Sequence, residues 1–535
     1  PYDQLSDRIG PLAQEEPSDV GIVLIESSWK GERRPYHRQK LALILANQRH
    51  FALEQAKRGV AVRYKTTDRP YSEALERVAG ELGPLQMMEP AERELRVDLQ
   101  RLVDDGALEL LNHEGWLTTP EQFEASQKRG PPWRMDAFYR HLRKETGILM
   151  EDGKPVGGKY SFDAENRERW DGEPPAPEAP TFPVDEIKEE VADLIRSRFD
   201  HHPGTLDLDS LPATAKDADK LWEWAKEHCL ASFGPYEDAM SVRSSGLFHT
   251  RVSALLNLHR LLPARMVDEV LELDIPLPSK EGFVRQVLGW REFVRHVHRA
   301  TDGFRRLPDG KVSVAKTPGD GGYERWSGER WPGSEHVDHL DGGAEPSVLE
   351  SRQPLPAAFW GETSGLRCLD HVVADVWASG YGHHITRLMV LSNIATLIDT
   401  SPRGLTDWFW SAYADAYDWV VEPNVLGMGS FALGELMTTK PYVSGAAYIN
   451  RMSDYCLDCE FDPKSDCPIT NLYWAFLARH KKQLDDNPRL RLPLANLSRR
   501  DKKRRRHDAE VFRWVRDTLN DPATLSPADA PSEPD

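Results

Sequence analysis

Tyr455-Cys456-Leu457-Asp458-Cys459, followed by Cys467-Pro468 and Tyr473-Trp474, holds three of the five cysteines in this 535-residue chain. Two thiolates three positions apart can grip one centre, and the short return to Cys467 brings a third. The fourth, Cys368, lies upstream beside the paired His383 and His384. An irregular four-cysteine set, with one member distant and another followed by proline, suits a 4Fe–4S cluster better than a zinc ribbon, which usually carries a second close pair. Zinc in the same four thiols and unrelated buried cysteines stay open at this point. Cys229 is left over and reads as a small buried apolar residue.

Working outward, the length implies two to four domains with ample chain for large cores. A mean hydropathy of −0.58, no run of membrane-spanning length and no apolar signal segment describe a soluble globular protein without a membrane partner. Cysteines gathered near one site, rather than spread as a disulfide framework, point to a reducing cytoplasm. The chain starts on Pro rather than Met, so a short natural N-terminus is expected to precede it. A net charge of −18 argues against indiscriminate nucleic-acid binding but leaves room for a local basic groove. The densest positive run is Arg499-Arg500-Asp501-Lys502-Lys503-Arg504-Arg505-Arg506, read either as a solvated helix end or as a DNA-facing element.

The first 130 residues alternate in character. Val20 to Ile25, Val60 to Tyr64, Leu85 to Met88 and Leu108 to Leu111 are β-rich, and His37 to Arg58 has helical periodicity. This predicts α/β architecture, a doubly wound parallel sheet, with ligand binding at the carboxyl ends of its strands. Residues 131–205 read as an interdomain connection. They include a glycine turn at Gly157-Gly158 and a Pro-rich surface linker from Glu173 to Pro183. Residues 206–535 read as all-α, with helices at 217–233, 252–262, 282–300, 368–377, 384–399 and 405–421. The Gly-, Asp- and Pro-rich stretch 303–347 reads as a long ordered loop.

Phe233 to Met240, Phe248 to Ser253, Gly289-Trp290-Arg291-Glu292-Phe293, Gly380 to His384, Lys440-Pro441-Tyr442 and the cysteine stretch together resemble the photolyase/cryptochrome superfamily. The cysteine set resembles its iron–sulphur branch, the bacterial cryptochromes and prokaryotic (6-4) photolyases. The resemblance covers essentially the whole chain. It implies an N-terminal antenna domain, a helical FAD-binding catalytic domain, a 4Fe–4S cluster on Cys368, Cys456, Cys459 and Cys467, and UV-damaged DNA as partner of a monomer.

The same resemblance implies residue roles. His384 matches the proton donor to a flipped-out (6-4) lesion, since imidazole titrates near neutral pH. His383 stands beside it. Animal enzymes carry a second histidine one helical turn on, where this chain has Leu388, so help is expected from elsewhere, with Tyr442 the candidate. Tyr236, Thr250, Arg251, Val252, Ser253 and Arg291 are expected to hold the FAD phosphates and ribityl chain. Arg387 and Asp415 resemble the ion pair beside the isoalloxazine, and Glu422 and Asn424 fall near its expected N5 neighbour. Trp408 and Trp360 match the electron-transfer aromatics, and Phe409 occupies a place where the branch often has Tyr. Phe is harder to oxidise, which predicts slower or rerouted photoreduction. The loop from Cys459 to Cys467 is shorter than is usual in the branch. Ser27-Ser28-Trp29-Lys30-Gly31-Glu32-Arg33-Arg34 stands where the branch usually carries an acidic residue and a Tyr contacting a lumazine antenna, so 6,7-dimethyl-8-ribityllumazine is an uncertain occupant.

The leading expectation is a light-dependent (6-4) DNA photolyase, a lyase driven by excited reduced FAD. A blue-light photoreceptor with the same cofactors is the alternative. A zinc-binding helical scaffold without flavin is the third reading, which the colour of the protein decides.

Overall fold

The fold was analysed in a computed structural model that describes residues 1–127, 130–308, 343–521 and 523–532. Strands β1 (Gly21–Ser27) and β2 (Ala61–Thr67) pair in parallel, from Gly21 opposite Ala61 to Ser27 opposite Thr67. A parallel pair needs a crossover, and helix Arg38–Arg58 supplies it. That helix stops at Gly59, whose φ of 95° is a left-handed cap that glycine takes without strain. Strands β3 (Leu85–Met88) and β4 (Leu108–Leu111) repeat the pattern around helix Arg93–Asp104. The parallel α/β reading holds. The strands are hydrogen-bonded as two pairs rather than as one continuous ladder.

The connection crosses the surface as expected. Gly157 and Gly158 take φ of 72° and 76°, the left-handed backbone of the expected turn. Beyond it, helices Glu186–Arg198, Arg367–Ser379 and Pro402–Ala412 match the periodicity of the sequence. Two expected helices are cut short, and both cuts serve the site. The 252–262 segment forms only Ser253–Asn257, between positive-φ residues Arg251 and His259. The 405–421 segment ends at Ala412 and restarts at Asp418, because the intervening chain turns Asp415 inward to accept polar partners. Three wide π-turns, Arg285–Arg291, Thr386–Ser392 and Glu422–Gly429, each carry candidate site residues. Such turns concentrate at functional positions. Much of the 303–347 stretch lies outside the described residues.

One hydrophobic core runs through both portions, joining Tyr2 and Leu99 to Trp408 and Leu525. Among the described residues no helix is long and apolar enough to cross a membrane.

Candidate active site and metal centre

The inward turn at Asp415 builds the first cluster. Arg387 donates both terminal nitrogens to the Asp415 carboxylate at 3.0 Å and its Nε to the Gly382 carbonyl at 2.8 Å. Ser253 Oγ donates to the same carboxylate at 2.7 Å. Burial alone would raise the Asp415 carboxyl, but Arg387 and Ser253 outweigh it and hold it below its ordinary value. The Arg387 guanidinium lies 3.9 Å over the ring of Tyr413, whose buried hydroxyl has no hydrogen-bond partner among the described residues. Nearby, Arg251 stands at φ 58° with its guanidinium 4.4 Å over Tyr381. Thr250 and Val252 are buried on either side of it. A fixed ion pair, an unsatisfied phenol and a guanidinium held on strained backbone suit a planar polar heterocycle carrying phosphates. Replacing Arg387 by alanine is expected to lower stability by about 3–5 kcal/mol, because Asp415 is left as an uncompensated buried charge. Thermal unfolding of the two proteins measures this.

Other expected members sit apart. Tyr236 packs at a 30° tilt on Phe248, with centroids 5.2 Å apart, and donates to the Glu173 carbonyl. Arg291 donates to Glu292 and to the Leu256 carbonyl and lies 4.1 Å over Trp116, while its buried Nε has no hydrogen-bond partner among the described residues. Glu422 sits in a fully buried network: its two oxygens accept from His298 and Arg403, each at 2.8 Å, and Asp407 extends the network through Arg403. The hydrogen bond from His298 and the charge of Arg403 hold its carboxyl at about 2 against the opposing pull of burial. Asn424 is partly exposed and donates to the Val420 carbonyl at 2.7 Å.

Three imidazoles meet beside this cluster. His383 is buried and stacks on His249, with centroids 4.3 Å apart and planes 11° apart. His384 meets His249 edge-on at 5.4 Å, with its side chain 40 % exposed. Ring nitrogens of the three lie within 4.8 Å of one another. Face-to-face stacking keeps the lone pairs of His249 and His383 in nearly parallel planes, so they do not hydrogen-bond to each other. Burial pushes all three imidazoles down, aided at His249 by His384 and at His384 by Arg285, so the cluster is neutral at neutral pH. His384 Nε2 lies 4.0 Å from Asp238, which also accepts from Tyr448 at 3.2 Å. Burial lifts the Asp238 carboxyl to about 6, with Glu237 and Asp163 adding to the rise and Arg167 opposing it. Tyr442 shares Asp163 with His384 as a charged neighbour, and burial raises its phenol. His249 and Asp238 lie inside the stretches that carried the family resemblance, yet only the fold brings them to His384.

Trp408 is fully buried and Phe409 stacks on Tyr413 at 5.3 Å. Between Trp408 and the partly exposed Trp360 stands Trp377, which had read as one more core aromatic of its helix.

The four cysteines of the proposed cluster come together. Cys368 lies in the first turn of helix Arg367–Ser379, and Cys467 is the N-cap of helix Pro468–Arg479. Burial, then the neighbouring sulfurs Cys467, Cys456 and Cys459, push the Cys368 thiol far up. Burial likewise raises Cys456 to about 11 and Cys467 to about 12. Clustered thiols that titrate this high stay protonated on their own and would ionise together only around a bound cation.

A cavity of about 520 Å³ opens at the carboxyl ends of β1 and β2, lined by Ser27, Ser28, Lys30, Thr67 and, from the helical portion, Trp410 and Tyr417.

Comparison with known proteins agrees with this architecture. The family model described as deoxyribodipyrimidine photo-lyase-related protein matches residues 1–210. A (6-4) photolyase of Agrobacterium fabrum is 32% identical over 516 residues, covering 93% of this chain and 94% of the relative. A bacterial class III photolyase from Agrobacterium tumefaciens superposes with a TM-score of 0.52 at 15% identity, over 93% of this chain and 92% of the other. The Synechocystis cryptochrome superposes at 0.51 and 15% identity, over 80% and 81%. Full-length identity at that level, with the same fold, places this chain in the photolyase/cryptochrome superfamily, among the relatives of the bacterial (6-4) photolyases.

Proposed function

We propose that this chain is a light-dependent (6-4) photolyase that reverts pyrimidine–pyrimidone photoproducts in UV-damaged DNA. The observation that carries the reading is His384, its side chain 40 % exposed, with Asp238 and His249 beside it and the Arg387–Asp415 ion pair nearby. FAD held by Arg251, Ser253, Arg387 and Asp415 supplies, when reduced and excited by blue light, one electron to the lesion. The protein then has to place the lesion, exclude water and manage one proton.

His384 is neutral at rest, so its proton has to be supplied. Asp238 is the nearby acid, poised close to neutrality, and its proton reaches the lesion through His384. His249 meets the His384 ring edge-on and holds that imidazole in place. The sign of the pH dependence follows. A carboxyl at about 6 gains its proton as pH falls, so repair by protein reduced beforehand is expected to rise between pH 8 and pH 6. Asp238→Asn is expected to flatten that rise, as single-turnover repair across the range measures. An unchanged profile in the variant removes Asp238 from the path.

The cysteine centre is proposed as a 4Fe–4S cluster, supported by the sequence pattern of the four cysteines and by the mutual influence of their thiols at one buried place. The cavity beside Trp410 is the candidate seat of an antenna chromophore, with 6,7-dimethyl-8-ribityllumazine one occupant, to be identified by mass spectrometry of the denatured extract. Exposed Lys502 to Arg506 are proposed to meet DNA phosphates, which makes binding salt-dependent. The protein is proposed to act as a cytoplasmic monomer. Light-driven restoration of a (6-4) oligonucleotide, present in wild type and absent in His384→Ala, tests the reading.

A further inference from the structure

We propose that Asp454 is a positioning residue that couples the cysteine centre to the flavin pocket. The inference rests on the readings that the centre holds a metal cluster and the pocket holds FAD. Asp454 is buried and stands two residues before Cys456. Its carboxylate grips a stretch 213 residues away in sequence. Oδ2 accepts from Ser241 Oγ at 2.6 Å, and Oδ1 accepts from the Val242 backbone N–H at 2.8 Å. The Met240 N–H donates to the Met452 carbonyl at 2.9 Å, so backbone and side chain fasten the same two stretches together.

The gripped stretch presents two parts of the site. Residues 234–252 form no helix, and their only pairing is a single bridge between Ser241 and Ser244. Ala239, Leu247 and Phe248 pack on Trp170 in a small cluster separate from the main core. A segment with so little regular structure opens at low cost unless it is tied down. At one end Asp238 lies 4.0 Å from His384 Nε2. At the other, Ser245 Oγ accepts from Arg251 at 3.1 Å. Ser241 and Val242 lie between them. Hydrogen bonds to a buried carboxylate are the strong kind, which makes Asp454 the fixed point of the segment.

On its own side Asp454 belongs to the cysteine loop. Helix Ala446–Met452 brings Tyr448 to Asp238 at 3.2 Å and runs on through Asp454 into Cys456. Cys368 and Cys467 are buried, whereas Cys456 and Cys459 are partly exposed. Their loop therefore has the least packing of its own and gains the most from closing on a metal. A closed loop sets Asp454 against Ser241 and Val242. In return, a ligand that orders the 238–251 stretch holds Asp454 and, through it, the loop. No electron or proton passes through Asp454, whose part is placement alone.

The test uses the full chain carrying iron and flavin. Iron release to a ferrous chelator is timed with the flavin bound and after its removal. In the native chain, release is expected to quicken by about fivefold or more without flavin, the low end of coupling between sites. In Asp454→Ala the two rates are expected to lie within about twofold of each other. That variant is also expected to lose flavin on dilution while keeping its full iron content, a split that general unfolding does not give. Asp454→Asn, which still accepts from Val242 and can pair with Ser241 Oγ, is expected to behave as the native chain. Ser241→Ala, distant in sequence from the four cysteines, is expected to weaken the flavin dependence too, and it decides the matter where Asp454→Ala does not fold. Iron release indifferent to flavin in the native chain, or an unchanged flavin dependence in Asp454→Ala and Ser241→Ala, overturns the coupling and leaves both underlying readings intact. Folded native protein isolated without iron or without flavin overturns the coupling together with the reading beneath it.

Discussion

Alanine at His384 is expected to lower light-dependent (6-4) repair by about a hundredfold or more while flavin content and photoreduction stay near wild type. The magnitude is that of a lost general acid, typically ~10²–10⁴ in rate. The split between readouts follows from position. His384 is the half-open member of the imidazole group, whereas His383 and His249 are buried in the packing behind it. Its removal therefore takes away a proton path without opening the core. The comparison with His249→Gln is informative. That residue is buried, its Nε2 has no partner among the described residues, and it contacts His384 without reaching the rim. Its loss is expected to reduce repair less than His384→Ala and to alter the pH profile. Single-turnover repair of protein reduced in advance separates these effects from electron supply. Repair by His384→Ala at the wild-type rate would remove the proton-donor role.

The second large effect concerns the cysteine centre. Cys456→Ala is expected to abolish soluble folded protein, together with the visible absorbance of an iron–sulphur centre. Cys368 and Cys467 bind two helices, Arg367–Ser379 and Pro468–Arg479, to one site, and the second packs against the terminal helix Lys502–Asn520. Losing one ligand leaves three raised thiols facing one another without a cation. A whole domain is held by only about 5–15 kcal/mol, so a centre that closes several elements onto one another can account for much of that. Iron and sulfide content alongside the yield of folded protein measures the effect. Normal folding with intact repair in Cys456→Ala would show that the centre is dispensable for structure.

Much of this was legible before any coordinates. Strand, helix, strand alternation from Val20 to Leu111 carries its own period, and the parallel pairs appear where it placed them. The cysteine spacing announced a shared centre because ligands close in sequence leave a local signature. Partners separated by hundreds of residues leave none. Asp238 reads as one acid among many until the fold sets it 4.0 Å from His384, and Trp377 reads as core until both neighbouring indoles are in place. The buried network around Glu422 was hidden for a related reason. Its partners His298 and Arg403 lie 124 and 19 residues away, and only packing reveals that they hold both oxygens. The helix break at Asp415 was invisible because propensity favours continuing through 405–421, and the polar contacts that reward the break are tertiary.

The central claim is repair of one lesion class by light, and the most direct measurement is an assay of the reduced full chain on oligonucleotides carrying either a (6-4) photoproduct or a cyclobutane dimer, illuminated with blue light beside dark controls. The account predicts light-dependent restoration of the (6-4) substrate and none of the cyclobutane dimer. Flavin-loaded protein that restores neither substrate would contradict it and point to the photoreceptor reading instead.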